Sequence, residues 1–60
     1  MDAKEAEKLL LASGFLLNRT KGSHRIYFRD STRIVIPFHG GKSLHPKIVK
    51  EVLEAAGLLY

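Results

Sequence analysis

The sequence predicts an α+β fold of order α-β-β-β-α: a three-stranded antiparallel sheet with two helices on one face. Three observations carry this. Apolar residues recur at helical spacing in both end segments, and strand-like alternation fills the middle. Short polar turns separate the alternating runs. No internal repeat, low-complexity tract or linker interrupts the order, so residues 1–60 read as one domain.

Asp2 followed by Glu5 is a capping-box pattern with Asp in place of Ser or Thr. Ala6, Leu9, Leu10 and Ser13 then fall on one helical face, and Gly14 supplies a left-handed stop, giving a helix over about residues 3–13. Phe15 can fold back on Leu10 or Leu11. Phe15 to Thr20 reads as the first strand, with Phe15 and Leu17 on one face and Leu16 and Asn18 on the other. Lys21-Gly22-Ser23 is a turn, and His24 to Arg29 is the second strand. Parity puts Ile26 and Phe28 in the core, with His24 at the rim of their face. A slip of one residue would exchange every side chain on that strand. Tyr27 then either stacks on a base or packs in the core or at its rim. Asp30-Ser31-Thr32 is a polar turn. Arg33 to Phe38 is the third strand, with Ile34, Ile36 and Phe38 as its inward row. Pro37 lacks a ladder donor and marks an edge or the end of pairing. After the loop His39-Gly40-Gly41-Lys42-Ser43, His45-Pro46 opens the last helix with proline at its first position. Ile48, Val49, Val52, Leu53 and Ala56 form its apolar face, and Gly57 ends it.

Composition restricts the function classes. With 60 residues and no cysteine, the fold is small and has no disulfide to staple it. The longest apolar run, Leu9 to Ala12, falls far short of the ~20 residues of a membrane span. The N-terminus lacks a secretory pattern, and the expected location is the cytoplasm. Ten Lys+Arg face six Asp+Glu, and Asp30 is the one acid between Glu7 and Glu51. The centre is therefore a cationic stripe, the footprint of a polyanionic partner such as nucleic acid.

Lys21-Gly22-Ser23-His24-Arg25 sets an imidazole beside a glycine turn and among cations. Imidazole exchanges protons near neutral pH, with an unperturbed pKa of ~6.5. Glycine allows positive φ or close backbone approach to a ligand. A phosphodiester can lie there against a proton-transfer group. Alone, the motif is more often that of a polar surface residue at a strand start.

The chain resembles the HicA (YcfA-like) toxins of toxin–antitoxin systems from about Leu9 to Leu58. Ala12-Ser13-Gly14-Phe15, Lys21 through Tyr27, Ile36-Pro37-Phe38-His39 and Ile48 through Leu58 carry the resemblance in order and spacing. It departs at Asp30-Ser31-Thr32, where many members have a Pro-Asp-Gly-type hairpin, and at His45-Pro46, where many have a Gly-Thr pair. The resemblance implies a double-stranded-RNA-binding-domain-like fold and a ribonuclease that cleaves mRNA and arrests growth. It further implies a catalytic histidine at His24 and a HicB antitoxin that covers the site.

RNA carries its own nucleophile, the 2′-OH, so cleavage requires no metal and no small-molecule cofactor. In this reading His24 moves a proton. Gly22 admits the phosphate, Lys21 or Arg25 stabilises the developing charge, and Ser23 orients the ring. Arg19, Arg29, Arg33 and Lys42 are expected phosphate contacts. His39 either reaches the same face or merely hydrogen-bonds in its loop. His45 reads as a helix-cap residue. Positions 24, 39 and 45 match no helical metal-ligand pair. A non-catalytic RNA-binding module of the same fold is the alternative, and a subunit that only docks on another protein is a third.

Overall fold

The first helix, α1 (Ala3–Ala12), begins at a complete capping box. The Glu5 amide donates to Asp2 Oδ1 at 2.8 Å, and the Asp2 amide donates to Glu5 Oε1 at 3.1 Å. Two of the amides that a helix start leaves without partners are thereby satisfied. Ala3, Ala6 and Leu10 lie on the buried face. The helix stops where Gly14 takes φ 92°, and the Phe15 amide donates to the Leu10 carbonyl at 3.0 Å. This closure turns Phe15 inward beneath Leu10, and both are fully buried. The computed structural model describes residues 1–58.

Three strands follow, β1 (Leu16–Lys21), β2 (His24–Arg29) and β3 (Thr32–Pro37), as an antiparallel meander in the order β1-β2-β3. Lys21 pairs with His24 and Arg29 with Thr32, so both hairpins have two-residue loops. Each loop takes positive φ at its first residue: Gly22 at 61° and Asp30 at 53°. Glycine reaches that region freely, and aspartate tolerates it better than most residues. β3 is an edge, and Pro37 stands at its last paired position, where its missing N–H disturbs no central ladder.

The β1–β2 register shifts between Leu17, opposite Tyr27, and Arg19, opposite Ile26. Asn18 is the extra residue of this bulge. Directly opposed antiparallel residues share a face. Leu17 therefore lies on the Tyr27 face, whereas Arg19 and Lys21 lie on the opposite one, with Ile26 and His24. Simple alternation would have put Arg19 and Lys21 with Leu17.

Both helices cover one sheet face. α2 (Pro46–Ala55) starts with His45 as its cap, the Lys47 amide donating to His45 Nδ1 at 3.1 Å. Past the helix, the Leu58 amide donates to the Leu53 carbonyl at 2.9 Å around Gly57. The core joins Ala3, Ala6 and Leu10 of α1, Phe15, Tyr27, Ile34 and Ile36 of the sheet, Leu44, and Val52 of α2. Phe38, Ile48 and Val49 pack at its margin.

One expectation is overturned. The inward residue at the centre of β2 is Tyr27, not Phe28; Ile26 is buried as expected, at 4% exposure, but on the opposite sheet face and outside the cluster beneath the helices. Tyr27 is fully buried opposite Ile34, whereas Phe28 is 37% exposed. His24 shares a face with Ile26 and Phe28, as parity predicts, but that face is the one the helices leave open. The physical reason lies on α1. Glu7 Oε2 accepts the Tyr27 hydroxyl, so the phenol is buried with its polar end satisfied. Arg25 and Arg29 flank it on the inward row with their charged ends at the rim, a disposition suited to long cationic side chains.

Candidate functional site

The site forms where the β1–β2 hairpin meets the end of β3. The Phe38 amide donates to the Ser23 carbonyl at 2.7 Å, which ties the loop after β3 to the Gly22–Ser23 turn. His39 therefore approaches His24: their ring centroids are 6.3 Å apart and their planes meet at 85°. Both residues are exposed. His24 is flanked in register by Lys21 on β1 and Pro37 on β3. Two imidazoles at that spacing can act on one group, one accepting a proton while the other donates.

The predicted cations divide between the two faces. Arg19 opposes Ile26, and Arg33 opposes Phe28, so with Lys21 they lie on the open face that also carries His24. Lys42 sits in the loop beyond β3. It lines a cleft of about 290 Å³ together with His39, Gly40, Gly41 and residues of the α1 start, including Asp2 and Lys4.

Arg25 and Arg29 point the other way. Arg25 Nη1 donates to Glu7 Oε2 at 2.9 Å, and its guanidinium lies 4.0 Å from the centroid of the Phe38 ring. Arg29 Nη1 donates to the carbonyls of Ser13 at 2.9 Å and Ala55 at 3.2 Å, binding the ends of both helices together over the Phe15 ring. The Arg25 guanidinium thus supports the site from beneath by steadying Phe38, next to His39.

Glu7 was not legible as part of this arrangement, because one carboxylate on an amphipathic helix carries no signal of what lies across the sheet. Its hydrogen bond from Tyr27, and then the Arg25 guanidinium, hold its carboxyl below the usual carboxylate range, against the opposing effect of burial. Burial and the Glu7 carboxylate push the Tyr27 phenol up. The Glu7 carboxylate likewise raises Arg25.

Among the described residues, no three His, Asp or Glu side chains gather in a metal-binding group, and no helix is long and apolar enough to cross a membrane.

Fold and site together define a small basic α-β-β-β-α domain with two exposed imidazoles at one end of a cationic sheet face. Its topology is consistent with that of double-stranded-RNA-binding domains. A family model described as the HicA toxin of bacterial toxin–antitoxin systems matches residues 3–58 of the 60, and the chain belongs to that family. Its role is that of the toxin in such a system. No curated protein and no solved structure matches the chain.

Proposed function

We propose that this toxin is an endoribonuclease that cleaves mRNA in the cytoplasm with His24 as its proton-transfer residue. The observation that carries the reading is the pairing of His24 with His39 at 6.3 Å on an exposed, cation-flanked edge. One imidazole removes the proton from a 2′-OH, whose oxygen attacks the adjacent phosphorus. The bond from phosphorus to the 5′ oxygen breaks, and the second imidazole gives that oxygen a proton. The products are a 2′,3′-cyclic phosphate and a free 5′-OH, and no metal or cofactor enters the balance. His24 and His39 exchange roles in any reversal.

Lys21, opposite His24, supplies positive charge for the pentacoordinate phosphorus, where charge stabilisation has its largest effect. Gly22 leaves open space above the turn: a Cβ built there would meet nothing within 4 Å, so the phosphate can approach the backbone. Ser23 fixes the loop through its carbonyl rather than its hydroxyl. Arg19, Arg33 and Lys42 hold neighbouring phosphates. A HicB-like antitoxin neutralises the toxin by covering this edge, and its binding stabilises the small fold by mass action.

Expression in cells tests the reading. Wild type is expected to arrest growth with mRNA degraded. His24→Ala is expected to do neither while accumulating as folded protein. Arrest with intact mRNA would instead favour a non-catalytic RNA-binding module.

A further inference from the structure

We propose that the open sheet face is a platform for single-stranded RNA, on which an unpaired base stacks against Phe28 while Arg19, Lys21 and Arg33 hold the backbone. This rests on the ribonuclease reading and extends it to the form of the substrate.

The paired registers lay out the face in three rows: Lys21–His24–Pro37, then Arg19–Ile26–Val35, then Leu16–Phe28–Arg33. The proposed catalytic imidazole stands at one end. At the other end an aromatic ring, 37% exposed, lies between Leu16, 72% exposed, and Arg33. A single exposed apolar residue is ordinary, but Leu16 and Phe28 are direct neighbours bordered by Arg33, the composition of a contact patch. Three cations share the rows, and among the described residues no acid occupies a paired position on this face. A second copy laid face to face would therefore oppose like charges. A polyanion with flat apolar faces, which is the chemistry of an RNA strand, satisfies both features at once.

The same layout selects single strands. Duplex bases are stacked on one another and offer no free ring face, whereas unpaired bases do. Phe28 is four positions along β2 from His24, or about 13 Å at ~3.3 Å per residue. That span is about four nucleotides at the stacked spacing of ~3.4 Å, and fewer for an extended strand. The base read by Phe28 is therefore not the one beside the cleaved bond.

The test measures fluorescence anisotropy of a labelled 12-nucleotide oligouridine and of a 12-base-pair RNA duplex. It uses the full chain carrying His24→Ala, so that the probe stays intact. The single strand is expected to bind more tightly than the duplex. Adding Phe28→Leu, which keeps the apolar bulk and removes the ring, is expected to weaken single-strand binding about 5- to 150-fold, and Phe28→Trp to restore it. Equal affinity for strand and duplex would overturn the proposal. So would Phe28→Leu binding that matches its parent, as expected if the face serves only a protein partner. Cleavage is scored separately on protein with His24 intact. Phe28-dependent binding without cleavage would keep the platform and remove the catalytic reading. Cleavage with a KM unaffected by Phe28→Leu would do the reverse.

Discussion

Tyr27 and Glu7 meet across the sheet–helix interface: the Tyr27 hydroxyl donates to Glu7 Oε2, and Arg25 donates to the same oxygen. This contact decides which way β2 faces. With the phenol anchored to α1, Tyr27 faces the helices, while Phe28 and His24 are exposed on the opposite sheet face, where Ile26 between them is covered by its neighbours.

Removing the anchor is expected to weaken the fold more than its size suggests. Tyr27→Phe keeps the ring but deprives Glu7 of a donor, and a hydrogen bond to a charged group contributes about 1.5–3 kcal/mol. In a chain this small each kcal/mol moves the melting temperature by roughly 4–8 °C. Thermal unfolding of Tyr27→Phe should show a drop on the order of 6–24 °C, with RNA binding by the folded protein unchanged.

The same contact predicts how stability varies with pH. The Glu7 carboxyl is held low in the folded state, so its contribution is present above the ordinary carboxylate pKa of ~4.3 and is lost as pH falls through the folded value. The advantage of wild type over Glu7→Gln in melting temperature should be full at pH 7 and shrink below pH 4. The Tyr27 phenol is raised, so its contribution is complete below its ordinary pKa of ~10 and declines as pH rises beyond it. Above pH 10, wild type should lose more stability than Tyr27→Phe.

Gly14 holds the turn that delivers Phe15 to the core. Its φ of 92° is strained for a residue with a side chain, although a Cβ there would meet only Arg29 Cδ at 3.6 Å. Conformation rather than crowding should therefore set the cost. Gly14→Ala is expected to lose about 1–2 kcal/mol in denaturant unfolding, and Gly14→Asn less.

The divided arginines make opposite predictions. Arg29 grips the carbonyls of Ser13 and Ala55, so Arg29→Met should lower the melting temperature and leave the salt dependence of RNA affinity intact. Arg33 on the open face should behave in reverse. Arg33→Ala should melt like wild type, bind RNA more weakly, and reduce the slope of log affinity against log salt by about 0.7–0.9.

The elements were legible because their local signals agree. The Asp2–Glu5 box, the glycine stops at Gly14 and Gly57, and the Ile34–Ile36 row each appear where the chemistry predicts. The faces were less legible. On β2 the row Arg25–Tyr27–Arg29 looks like the wet one, and only Glu7 and the two helix ends make it the inward one. The bulge at Asn18, which carries Arg19 and Lys21 to the open face, has no glycine or proline to announce it. The approach of His39 to His24 depends on the Phe38–Ser23 backbone bond, a contact between segments 15 residues apart that alternation does not encode.

Single-turnover cleavage of a labelled RNA by purified wild type and His24→Ala, with the ends of the products identified, probes the proposed catalytic role of the His24 imidazole most directly. Wild type should release 2′,3′-cyclic phosphate ends, and His24→Ala should cut about 10²–10⁴-fold more slowly at an unchanged melting temperature. Cutting by His24→Ala at the wild-type rate would show that the proton moves through another group.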